Sequence, residues 1–388
     1  MRKVTRRRSQ VAYAVCITAL VILRTRESLP RIPADPNYNY VEAGRELGIR
    51  SLLEGDPYFH IASRAIGLLA SMFPIGAHAL ALGVMSDAVW IGSSLVVSYA
   101  IRSLTTSSRL GMMAGLILAL APHAAESSIG CVGNVKWPLL IASVTLAASG
   151  VETRHEMGVG LGLSLLTGLS NPLALIATLP IALKRLGGRR PSRAEYTFVF
   201  VLIATLAIQV LKVGISSSAA CQSERVLLPW PGIGMFWWSG ILAPVLFAGG
   251  TSILWIRSRY LDSPWPHSTA PFIIPSLTLW LSSYLLGGIA DRYFVPPFVL
   301  GAIGALLALQ NDSARRTYTW WCAATAYVVP LTVVSVKWFS VGWFMTTGPT
   351  WSAEVVRARS ICERSAIIEV EVEVTAGATT WLPCSVLR

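Results

Sequence analysis

Apolar runs follow one another along this chain, at 10–24, 76–101, 110–122, 136–150, 158–170, 172–184, 196–212, 233–256, 271–288, 294–310 and 318–337. A chain that must hide repeated runs of ~20 apolar residues has one common solution, a bundle of helices crossing a bilayer. Composition agrees: 53% of the 388 residues are hydrophobic and 13% are charged, half the charge of a soluble domain. A soluble enzyme, a disordered chain and a fibrous repeat are excluded. The expected fold class is an all-α polytopic membrane protein of about 11 spans, some short or broken, with a small β-rich external cap at its C-terminus. Four regions follow: a basic segment and first helix at 1–24, an external loop at 25–75, a multi-span bundle at 76–337 and an external tail at 338–388.

The net charge of +12 suggests nucleic acid only in a soluble protein. No basic stripe with interleaved aromatics appears, so nucleic acid is not an expected partner. Membrane proteins instead concentrate Lys and Arg in cytoplasmic loops. With the N-terminus inside, one face collects Arg2, Lys3, Arg6–Arg8, Arg102, Arg109, Arg154, Lys184, Arg185, Arg189, Arg190, Arg193, Arg257, Arg259, Arg315 and Arg316. The short loops of the other face hold only Lys136, Lys212, Arg225 and Arg292. This asymmetry predicts a multi-pass plasma-membrane protein, N-terminus cytoplasmic and C-terminus external. It requires 158–184 to be a there-and-back pair broken at Ser170-Asn171-Pro172, where proline ends a helix. The basic start followed by Val11–Leu23 is like a signal peptide, but no small-x-small cleavage site follows, so an uncleaved first helix is expected.

Two external segments are large. In the first, YVEAGRELGIRSLL has the pattern of an amphipathic helix lying on a membrane, and a second helix is expected at about His60–Phe73. In the tail, IIEVEVEV alternates valine with glutamate, the period of a strand with one wet face. Of the six cysteines, none forms a CxxC, and no zinc site is expected. Cys362–Cys384 and Cys131–Cys221 are the disulfides that an oxidising compartment would allow.

The costly polar residues gather on the external side. Asp35 and Asp56 each precede proline, which is ordinary turn chemistry and also a way to fix a general base at a membrane-embedded site. Asp87 lies within a span, where a carboxylate marks either a cavity or a hydrogen bond to a neighbouring helix. Arg64, Asn134, Lys136, Asn171, Arg292 and Tyr293 are candidate substrate-binding residues. Arg292 is suited to a phosphate through charge-assisted hydrogen bonds, or to a local ion pair with Asp291. No HExxH, GxSxG, Walker A or Rossmann glycine pattern occurs.

The stretches YFHIASRAIGLLASMFP, GNVKWPLL, LTGLSNPLALIATLPIAL and DRYFVPP, in this order behind a long acidic first loop, resemble bacterial members of the GT-C class of integral-membrane glycosyltransferases. The resemblance implies a polyprenyl-phosphate sugar as donor and membrane lipids as surroundings, with no separate cofactor. It implies an inverting transfer: Asp35 or Asp56 deprotonates an acceptor hydroxyl, and Arg292 with Lys136 stabilises the departing lipid phosphate. One departure is clear. The class often carries an acidic pair just after the first helix, where this chain has RTRESLPRIPAD, with only Glu27 and Asp35. A transporter or permease, and a non-catalytic envelope protein, are the alternative readings.

Overall fold

Among the described residues the apolar runs fold as helices, which satisfy their own backbone groups along the segment. The computed structural model describes residues 2–32, 37–54, 58–121, 131–150, 153–188, 191–220, 265–286, 295–311, 348–375 and 378–387. Helix α1 spans Arg2–Thr25, so the basic leader is itself helical. Helix α2 (Asn37–Leu47) continues as a 3-10 segment, Gly48–Leu53. Gly48, at φ +56°, breaks the amphipathic helix that the sequence pattern extends to Leu53. Helices α3 (Ile61–Ala70), α4 (His78–Thr105), α5 (Ser108–Ala119), α6 (Lys136–Ser149) and α7 (Arg154–Gly168) follow. After the break come α8 (Ala174–Ala177), α9 (Leu179–Gly188) and α10 (Arg193–Ala220), then α11 (Trp265–Leu286) and α12 (Val295–Asn311). The expected spans at 233–256 and 318–337 lie outside the described residues.

Two of these helical stretches are long and apolar enough to cross a membrane, Ile75–Thr105 and Arg193–Gly214. Others are shorter; α5, with 12 residues, reaches only about 18 Å at 1.5 Å per residue.

Helix α6 is the centre. Every residue from Lys136 to Ser149 is buried, the pattern of a helix apolar on all sides. It packs against α4, α7, α9, α11 and α12. Its last turn is closed from outside: the Arg185 guanidinium donates to the Ala148 carbonyl at 2.9 Å and pairs with Glu195 at 3.1 Å. A cation is the favourable occupant of a helix C-terminus.

Glycines set the closest approaches. A Cβ on Gly67 of α3 would collide with the backbone and Cβ of Tyr40 on α2, and one on Gly44 of α2 would lie 2.7 Å from the Leu68 Cα. Gly111 and Gly115 do the same for α5 on α4, against Ser98, Arg102 and Ser94. Small residues four apart let two helices touch backbone to backbone.

Within the described residues the tail holds the small two-stranded sheet expected of a β-rich cap, preceded by a helix. Helix α13 (Trp351–Arg364) packs on β1 (Glu369–Thr375), which pairs antiparallel with β2 (Ala378–Pro383), with Val370 opposite Leu382. Val370, Val372 and Val374 face inward while Glu369 and Glu371 are exposed, as the alternation requires. Short helix α14 (Cys384–Leu387) follows, and a Cys362–Cys384 disulfide ties it to α13. Cys221, of the second expected pairing, lies outside the described residues. Hydrogen bonding by the Arg357 guanidinium holds the Glu354 carboxyl below its ordinary range; Glu354 also accepts from the Glu373 amide at 3.0 Å. The cap is seated on the first loop: Trp351 donates from its backbone to Pro30 and from its indole to Ile75, at 2.9 and 2.6 Å, with Tyr38 stacked 4.9 Å away.

Gly67→Ala places a methyl against backbone that cannot yield, so it is expected to cost ~1–3 kcal/mol. Thermal unfolding of the purified protein tests this; an unchanged midpoint contradicts the packing described.

Candidate functional site

The start of α3 has no side-chain cap of its own, yet its first N–H groups need acceptors. The break after α7 supplies them. The Leu169 carbonyl accepts from Ile61 at 3.3 Å, and the Ser170 hydroxyl accepts from Ala62 at 2.9 Å. Asn171 stabilises the break by accepting from the Leu173 amide at 3.1 Å, while its buried Nδ2 has no partner among the described residues. One turn earlier, Gln209 of α10 brackets Phe59, accepting its N–H at 2.9 Å and donating to its carbonyl at 3.0 Å. Ser63 donates to Val132, in the 3-10 turn leading into α6, at 2.8 Å. These bonds fix the entry to α3 against α6, α7 and α10.

What they hold in place is a group of cations and aromatic rings. Lys136, nine-tenths buried at the first turn of α6, donates to the Tyr58 hydroxyl at 2.9 Å. Its ammonium lies 5.4 Å from the Tyr58 ring centroid and 5.1 Å from that of Trp137, within cation–π range. The His60 ring packs on Tyr58 at 4.4 Å. Arg64 lies 5.2 Å over Tyr40 and meets the half-exposed Glu54 at 3.3 Å. Lys212 sits 5.7 Å over Phe59. Asn134 accepts from the Trp137 indole at 3.2 Å and donates to the Cys131 sulfur, so it sets the ring beside Lys136.

The electrostatics follow. Among the described residues, no carboxylate lies within ion-pair distance of Lys136, and Glu54 is the acid paired with Arg64. Lys136 also sits at the positive end of the α6 dipole. Burial, then the charges of Lys136 and Arg64, push His60 from 6.5 down to about 3, so it is neutral at neutral pH. The buried His60 Nδ1 and Arg64 Nε have no hydrogen-bond partner among the described residues. A place short of negative charge, walled by aromatic rings and holding unused donors, is suited to an anionic group such as a phosphate. Among the described residues, no group of three His, Cys, Asp or Glu could hold a metal ion.

Of the residues singled out in the sequence, Arg64, Asn134 and Lys136 are brought together, and Asn171 lies in the break that caps α3. Asp35, Asp56, Arg292 and Tyr293 lie outside the described residues. Sequence reasoning missed Tyr40, Tyr58, His60 and Gln209. The YFH run beside a helix start was a usable signal, and Gln209 is a lone amide in an apolar run, which is costly unless partnered. Asp87 of α4 accepts from Thr25 at 2.7 Å, and neighbouring Arg24 donates to the Ala119 and Ala121 carbonyls that end α5. This is the helix-to-helix hydrogen bond, one of the two readings of that carboxylate.

His60 is neutral in the folded chain, whereas an unfolded chain binds its proton below about 6.5. Its contribution to stability is therefore complete above 6.5 and is lost as the pH falls toward 3. In an NMR titration, His60 is expected to stay neutral at pH 5 and to titrate at higher pH in Lys136→Met. An ordinary midpoint in the unsubstituted protein contradicts the electrostatics above. No protein-family model matches the chain, and no curated protein matches it.

Proposed function

We propose that this chain is a polytopic membrane glycosyltransferase of the GT-C kind, moving a sugar from a polyprenyl-phosphate donor to an envelope glycan, lipid or protein acceptor on the non-cytoplasmic face. The observation that carries the reading is Lys136: a cation buried at the positive end of a buried helix, hydrogen-bonded only to a phenol among the described residues. Such a group is stabilised when an anion arrives. The departing phosphate of a lipid-linked sugar is an anion whose charge grows in the transition state, where fixed donors act most strongly. Lys136 is the phosphate-binding residue in this scheme, with Arg64 and Arg292 adding positive charge.

The surroundings favour a donor that arrives in the membrane. In the first loop, Ile49, Leu53, Leu69 and Met72 are more than half exposed, an apolar surface matched to lipid. The segments that the charge pattern assigns to the external face meet in space: the cap bonds to Pro30 and Ile75, and the α7 break bonds to α3. In the reaction a carboxylate takes the acceptor's hydroxyl proton, the oxygen attacks the anomeric carbon, and the glycosyl–phosphate bond breaks with its electron pair going to the phosphate. Asp56 and Asp35 are the bases proposed. Asp56 stands two residues along the chain from Tyr58, the partner of Lys136.

Membranes containing the Lys136→Ala and Asp56→Asn proteins, assayed for transfer from a polyprenyl-linked sugar, are expected to lose ~10²–10³ in rate each. Full transfer by both variants overturns the assignment. Uptake of a solute into proteoliposomes, abolished by Asp87→Asn, would favour a transporter instead.

A further inference from the structure

A cleft of about 220 Å³ opens at the other end of the bundle, where α1, α4 and α5 meet. Its wall on α4 is Leu95, Ser98, Tyr99 and Arg102, faced by Ser108 and Met112 of α5 and by Gln10 and Tyr13 of α1. Leu95 lies seven residues before Arg102, about 10 Å away along the helix. Along α4 the lining thus runs from apolar Leu95 to basic Arg102.

Its shape is built in. Gly111 and Gly115 bring α5 against α4 so closely that the Arg102 Cβ and the Tyr13 hydroxyl occupy the space their side chains would need. Tyr13 is anchored by its hydroxyl to the Met112 carbonyl at 2.9 Å, and Tyr99 by its hydroxyl to Glu156 at 2.8 Å. Glu156 is already engaged, capping α7 through the Thr153 amide at 2.7 Å. Arg102 makes no ion pair among the described residues. The adjoining sequence is basic, with Arg6, Arg7 and Arg8 just before Gln10 and Arg109 at the start of α5.

We propose that this cleft binds an anionic phospholipid, with the headgroup phosphate on the Arg102 guanidinium and the first part of an acyl chain along Leu95 and Met112. The guanidinium fork matches phosphate oxygens, and the basic-to-apolar gradient matches a lipid lying along α4. The occupant is a membrane lipid rather than free phosphate, because Leu95 and Met112 give the cleft apolar surface that a free phosphate would not use. The inference rests on the membrane-spanning reading but not on the transferase reading.

The test is native mass spectrometry of the full-length protein released from phosphatidylglycerol–phosphatidylcholine nanodiscs. Bound phosphatidylglycerol is expected to exceed phosphatidylcholine. Arg102→Gln is expected to weaken its retention about tenfold, the loss of one charge-assisted contact, and Arg102→Lys to recover part of it. Leu95→Trp, which fills the apolar end and leaves the charge, is expected to give a similar loss. Glycerol phosphate in solution should not compete. Equal retention in Arg102→Gln and Leu95→Trp overturns the proposal, as does displacement by glycerol phosphate. Release of the protein from membranes by alkaline carbonate would instead defeat the membrane reading. Donor-dependent transfer, measured on the same samples, reports separately on the transferase.

Discussion

A helix with no face toward lipid or water must have each polar group at its ends met by protein. Helix α6 is such a helix, and both ends show it. At the C-terminal end Arg185 reaches across from α9 to close the last turn and is itself held by Glu195. At the N-terminal end the chain places another cation, Lys136, where the helix dipole already points positive. The two ends are therefore not equivalent. One is neutralised by its partners, and the other keeps an excess of positive charge. Stability alone would not select a lysine there, since an apolar residue would avoid the desolvation cost.

Several of the described segments converge near the same end. The break between α7 and α8 costs backbone hydrogen bonds but supplies the acceptors that start α3. Gln209 makes two bonds to the backbone of one residue, Phe59, and so fixes the turn carrying Tyr58 and His60. The cap is pinned to the first loop by Trp351 and closed by Cys362–Cys384. A short, weak-cored cap of this kind gains from a cross-link that limits its unfolded state.

Much of the helical frame was legible, because a long apolar run in a weakly charged chain has few alternatives. The hairpin could be read from the valine–glutamate alternation, since a period of two admits one buried face. The break at Ser170-Asn171-Pro172 was legible from proline, but its role was not: capping α3 is a contact between distant segments and leaves no local pattern. For the same reason Arg64, Asn134 and Lys136 could be named singly, while the aromatic rings around them could not. Helix α13 was missed because its sequence, WSAEVVRARSICER, is polar on most of its surface and signals itself only by Trp351, Val355, Ala358 and Cys362 at helical spacing.

In the proposed reaction Lys136 receives the phosphate of a lipid-linked donor. The most direct measurement is a structure of the protein with a short-chain polyprenyl phosphate in a lipid environment. Phosphate oxygens are expected within hydrogen-bond distance of Lys136 Nζ, with the isoprenoid chain leaving along the apolar surface of the first loop. A phosphate seated elsewhere, with Lys136 still bonded only to Tyr58, would contradict it.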